Sequence, residues 1–351
     1  IMLRLKMSSF ISQPLPPPAN DLLVAILFGQ RYRLPENVEE NFRRAGAGHL
    51  MAVSGLHVGL VAAIAFGLLK LCGLRGKLPL IIALLIVFAY AYLTGMRPSA
   101  LRAALMLAVS GGALIFDREH DLPSAVALAA LLTLILNPML LFNVGFQLSY
   151  SATLTIIYLY QPLDKVLYGI PFIPSFLRAP LTVTAAAQLG VLPLTLYYFH
   201  ALPAGALFFN ILLMPFLALI IFFGLSGALF GLLWPLAGEI LIWAARPLLE
   251  LMLLITSWSS PSFFYLEVNP PGITTIIVLY TLLATFLYLH YYLEELRNRY
   301  KELNPGLVIK AQLEAVVNLC RGNRKALHLL LLLTAVSIIW AGIIFPPKQE
   351  L

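Results

Sequence analysis

Ser54 and His57 stand three residues apart in GHLMAVSGLHVGL, residues 48–60, at the mouth of an otherwise apolar run. On a helix they share a face, and Gly55 and Gly59 beside them form a G-x-x-x-G. Two uses fit this placement. Small residues let a neighbouring helix come close, with Ser54 and His57 hydrogen-bonding across the contact. Alternatively, the pair lines a polar passage, since polar groups inside a membrane usually face an interior. Zinc chemistry is disfavoured: His49 and His57 are eight apart, with no H-E-x-x-H and no carboxylate nearby.

A second polar cluster is TGMRPSALRAALM, residues 94–106. Pro98 suits the first position of a helix, which puts Arg97 at the cap and Arg102 about one turn inside. A guanidinium does not shed its proton, so Arg102 requires an acid, carbonyls, water or an anionic ligand. No acid lies in that segment, although Glu239 or Glu250 could reach it from another. Arg97 can snorkel to an interface; Arg102 is less able to.

Further polar groups interrupt apolar runs: Gln147, Ser149 and Ser151 in NVGFQLSYSAT, Gln188 in AAAQLGVLPLTLYYFH, and Asn210 in FFNILLMPF. Glu239, Arg246 and Glu250 fall on one helical stripe, with Arg246 and Glu250 paired at i,i+4. Singly, each suits helix packing. Together they describe a polar interior within an apolar shell.

The elements that must hold these residues are membrane helices. Of 351 residues, 60% are hydrophobic and only 11% charged, where soluble domains carry about 25% charged residues. The fold class is all-α, a polytopic transmembrane bundle of about ten segments with some re-entrant or broken helices. The segments are 49–69, 79–95, 98–116, 122–142, 144–161, 178–199, 204–233, 236–258, 273–293 and 326–345. The third, with Arg102 and Gly111-Gly112, is expected to be re-entrant or bundle-buried. Pro215, Gly224 and Gly227 are expected to break or tilt the overlong seventh. The basic loops 70–78 and 294–325 should be cytoplasmic, which puts both termini outside. Cys72 and Cys320 then lie on the reducing side, with no disulfide.

Residues 1–48 read as an external lead-in, 49–345 as the membrane domain and 346–351 as a tail. No secretory signal is visible in the first residues. Within the lead-in, Pro35 opens a short amphipathic helix with Glu36, Glu39 and Glu40 early and Arg43 and Arg44 late. Gly46 and Gly48 stop it, and it is expected to lie on the outer membrane surface. The net charge of +7 fits basic cytoplasmic loops or an anionic partner. There is no P-loop and no G-x-S-x-G elbow, so no nucleotide hydrolysis or cofactor is expected.

GAGHLMAVSGLHVGL, TGMRPSALRAALML, NVGFQLSYSAT, QLGVLPLTLYYFH and FNILLMPF, in this order, resemble the motifs of the ComEC family. These are inner-membrane channels that import single-stranded DNA in natural transformation. The resemblance covers roughly residues 20–260, the competence domain of that family. The OB-like and nuclease domains of larger members are not seen here, so no enzymatic activity is transferred. The resemblance implies single-stranded DNA and membrane lipids as partners, with a separate cytoplasmic ATPase or helicase and a DNA receptor. A homo-oligomer stays open. The expected path donors are Arg97, Arg102, Ser54, His57, Gln147, Gln188 and Asn210, with Tyr150, Tyr197, Tyr198 and Phe199 offering stacking faces. A secondary transporter of a small anionic solute, or a structural membrane subunit, are the other readings.

Overall fold

The computed structural model describes residues 2–118, 121–170, 173–259 and 264–299. Nine of the ten expected segments coincide with helices: α4 (Gly55–Leu71), α5 (Leu78–Leu93), α6 (Pro98–Ile115), α7 (Leu122–Leu136), α8 (Val144–Tyr168), α9 (Ser175–Phe199), α10 (Ala206–Gly231), α11 (Pro235–Ser257) and α12 (Ile273–Arg299). The tenth segment at 326–345, residues 300–325 of the second basic loop, Cys320 and the tail lie outside the described residues. By length and hydropathy, α6, α9, α10, α11 and residues 273–292 of α12 are able to cross a membrane. The chain is a helical membrane protein.

Both helices expected to be irregular are continuous. α6 runs unbroken through its 18 residues, with Ala100, Arg102, Ala104 and Gly111 buried. α10 runs through Pro215, Gly224 and Gly227 as one helix of 26 residues. The glycines serve packing instead. Gly238 on α11 lies against the backbone of Gly231 on α10, and a methyl at Gly238 would overlap the Gly231 Cα. Two backbones meet where neither helix carries a side chain.

The discontinuous element lies earlier, at α1 (Met2–Ile11) and α2 (Ala19–Phe28). Each has 10 residues, about 15 Å long, half of what a bilayer requires. Every residue of α2 except Asp21 is buried. The core therefore runs across the boundary expected at residue 48: Met7, Leu22–Phe28 and Phe42 share one cluster with Leu213, Ile220, Ile242 and Leu249. α2 meets α10 and α11, and the Tyr90 hydroxyl of α5 donates to the Leu27 carbonyl at 2.9 Å. α3 (Glu36–Arg44) has the expected start and charge order. It is pinned to the protein body by fully buried Phe42 and by the Ser259 hydroxyl donating to the Asn41 carbonyl at 2.8 Å.

Candidate nucleic-acid interface

α2 ends at Gly29, whose φ of +69° is a left-handed cap and whose N–H donates to the Ala25 carbonyl at 2.7 Å. Its own carbonyl accepts Arg97 Nη2 at 2.6 Å. A side chain here would run into the Arg97 guanidinium, 2.7 Å from a Cβ, so both the φ and the close approach require glycine. Arg97 is the N-cap of α6 and Pro98 its first residue, as expected. The guanidinium thus joins the end of one helix to the start of another.

Arg97 is not alone. Arg4 and Arg31 are near enough for their charges to act on it. Arg31 donates to the carbonyls of Met51 (3.2 Å) and Gly48 (3.3 Å), and its closest acid, Glu39, is 3.8 Å away. Arg4 reaches towards Gly95, where its Nη1 is 2.9 Å from the position of a Cβ. Its Nε has no hydrogen-bond partner among the described residues. Tyr32 directs its hydroxyl to Gln30 Oε1 at 3.3 Å and leaves its ring 81% exposed. Three cations with one acid at ion-pair distance, beside an open aromatic face, suit a polyanion carrying bases. Arg33 is spent elsewhere, on Asp21 at 3.1 Å and Ser12 at 3.0 Å. Arg4, Arg31 and Tyr32 are absent from the expected path donors, although RYR at 31–33, directly after an apolar run, carried the signal.

The other expected donors are mostly engaged. Ser54 caps α4, with its N–H 3.4 Å and its Oγ 2.9 Å from His57 Nδ1, a reciprocal capping box. The pair thus makes a local contact at the helix end, and His57 Nε2 is buried without a partner among the described residues. Arg102 is 2% exposed. Its Nη2 donates to the Gly145 carbonyl at 2.8 Å and its guanidinium lies 5.8 Å from the Phe146 ring centre. Nε and Nη1 have no partner among the described residues. Glu250 is bonded to Arg246 at 2.6 Å, and among the described residues Arg102 has an ion pair with neither Glu250 nor Glu239. Gln147 donates to the Leu141 carbonyl (3.1 Å) and accepts from the Tyr198 hydroxyl (2.8 Å). Gln188 is half-buried. Asn210 is 2% exposed, its Oδ1 without a partner among the described residues.

The two glycines of the G-x-x-x-G differ. A methyl at Gly55 would meet Ala103 of α6 at 3.6 Å, and one at Gly59 would meet nothing within 4 Å. Close packing belongs to Gly231 and Gly238. Among the described residues, no group of three or more His, Cys, Asp or Glu could hold a metal.

Residues 26–292 match the family model described as Competence protein. The chain belongs to the competence protein family. A relative in this family, ComE operon protein 3 of Bacillus subtilis (strain 168), is 34% identical over 66% of this chain and 29% of its own length. Uncharacterized protein YcaI of Escherichia coli (strain K12) is 27% identical over 58% of this chain and 28% of that protein. Recombination protein 2 of Haemophilus influenzae is 27% identical over 55% and 26%. The chain spans less than a third of the length of these three competence-family relatives. No solved structure matches.

Proposed function

We propose that this chain forms a path for single-stranded DNA across the bacterial cytoplasmic membrane during natural transformation, acting as a conduit and not as an enzyme. The observation that carries this reading is the grouping of Arg4, Arg31 and Arg97 around the end of α2, with the Tyr32 ring open beside them. Competence and recombination in the names of the family and its relatives give the biological setting. A phosphodiester strand needs cations it can exchange and faces on which bases can stack. Arg31 and Arg97 hold carbonyls, ligands that phosphate oxygens can replace. Arg102 is enclosed, so its role in this reading is to brace α6 against α8.

The membrane arrangement belongs to the same proposal. Both termini are outside, with 70–78 inside, where Lys77 ties the α5–α6 pair through the Ile115 carbonyl and Asp117, both at 2.6 Å. The Arg4–Arg31–Arg97 group, at the opposite end of α6, then faces the side from which DNA arrives. An ATPase and a DNA receptor on separate chains complete the pathway.

The test uses the full chain in lipid nanodiscs and a fluorescent oligothymidylate titrated at several salt concentrations. Binding with steep salt dependence, weakened in Arg31→Ala and Arg97→Ala, is the expected result. Absence of binding, or binding indifferent to salt, overturns it. One observation favours a second reading, transport of a small anionic solute: the two unpartnered nitrogens of enclosed Arg102. Uptake of inorganic phosphate into proteoliposomes, abolished in Arg102→Met, would select that reading.

A further inference from the structure

The face that α11 turns outward is the wrong surface for lipid. Trp234 and Trp258 flank the helix and are 65% and 50% exposed, as suits residues anchored in the two interfacial belts. Arg246 lies 12 residues from each, about 18 Å at a 1.5 Å rise. It therefore sits midway between the belts, beyond the reach of a snorkelling side chain. Its side chain is nonetheless 34% exposed, and that of its partner Glu250, at 2.6 Å, is 52% exposed. Trp243, 51% exposed, covers the guanidinium at 4.9 Å.

A pore wall does not explain this face, because Leu236, Ile240 and Leu254 on it are 60%, 62% and 53% exposed. A single charged pair set in an apolar stripe is the pattern of a helix–helix interface whose register is fixed by one polar contact. Among the described residues, the main contacts of α11 are with α10, α2 and α3, on the side opposite this face. One cation and one anion a single turn apart also complement themselves. Two copies in one membrane have the same orientation, so a twofold axis along the bilayer normal brings equal depths together.

We propose that α11 is the contact surface between two copies of this chain lying side by side in the membrane. The two ion pairs meet there as a four-charge cluster, each Arg246 shared between its own Glu250 and that of the second copy. Burying the pair against its counterpart replaces lipid with opposite charge, and the leucine and isoleucine positions close around it.

The experiment expresses the full chain with Cys72 and Cys320 replaced by serine and single cysteines at Ile240→Cys, Leu254→Cys or Leu219→Cys. Leu219 is exposed on α10, away from this face. Oxidation in native membranes should give a product of twice the mass from the first two and none from the third. Arg246→Glu and Glu250→Arg, each combined with Ile240→Cys, should each lower that product about tenfold when expressed alone. Co-expression of the two should restore it as a mixed dimer. Neither chain then has a pair of its own, so only pairing between chains explains the recovery. If the charge variants fail to accumulate, crosslinking between chains with native Arg246 and Glu250 decides alone. Absence of crosslinks at both positions, or no recovery from accumulated charge variants, overturns the proposal.

Discussion

Arg97 and Arg102 stand five residues apart on α6, in opposite surroundings. Arg97 shares a partly open site with Arg4, Arg31 and Tyr32 and holds one carbonyl. Arg102 is enclosed, holds one carbonyl, and leaves two nitrogens without partners among the described residues. The same side chain stands in a partly open group of cations in one place and enclosed between α6 and α8 in the other. Sequence position does not separate these roles; the neighbouring helices do.

The largest expected effect tests the brace. Arg102→Ala should leave a cavity between α6 and α8 and cost about 2–5 kcal/mol, read by thermal unfolding in detergent. Arg102→Met keeps most of the volume and discards an ill-satisfied charge, so it should stay within about 1 kcal/mol of the parent. A stable Arg102→Ala would break the contrast with Arg97.

Next come the accessible cations. Arg97→Ala and Arg31→Ala should each flatten the slope of log K against log salt for single-stranded DNA by about 0.7, with less than about 1 kcal/mol lost in stability. Arg97→Lys should recover the slope but not the whole affinity. A flattened slope in Arg102→Met would place DNA at the enclosed site and erase the distinction.

A smaller effect belongs to α3, where Glu40 binds Arg43 at 2.7 Å and Arg44 at 2.8 Å. Its hydrogen bond with Arg43 holds the carboxyl below its ordinary value of 4.5. The sign follows: stability from this cluster is complete above about pH 4.5 and fades as pH falls through the lowered folded-state value. The group is about a third exposed, so Glu40→Gln should cost about 0.2–1 kcal/mol at pH 7 and progressively less as pH falls below about 4.5. Parallel pH scans of the two chains check this.

The smallest effect concerns Gly59→Leu, which should change stability by no more than about 0.5 kcal/mol, because open space surrounds the position. Marked destabilisation would mean that another chain packs there.

Much of the scaffold was legible because long apolar runs and breakers are local signals. Pro98 at the first position of α6, the bounds and charge order of α3, and nine of the ten segments follow from such signals. The α1–α2 hairpin was not legible, since ten apolar residues are too few for a search tuned to spans. Gly55 and Gly59 have the spacing of a packing motif, yet the close pair is Gly231 with Gly238, and spacing alone does not say which face meets a neighbour. For Ser54 and His57 the spacing left two uses open, a contact between helices and a polar passage, and the helix end that they cap is a further demand, equally local in origin. Arg31 and Arg4 join Arg97 only through the fold, from 66 and 93 residues away.

The glycine seam between α10 and α11 has a mechanical meaning. Where Gly231 and Gly238 meet, backbone is laid on backbone with no side chain between to rotate, so the two helices are held close at one register, while Ile242 fills the space beside Gly227. The short α1–α2 pair is tied to α5 and to the start of α6 by the bonds from Tyr90 to Leu27 and from Arg97 to Gly29.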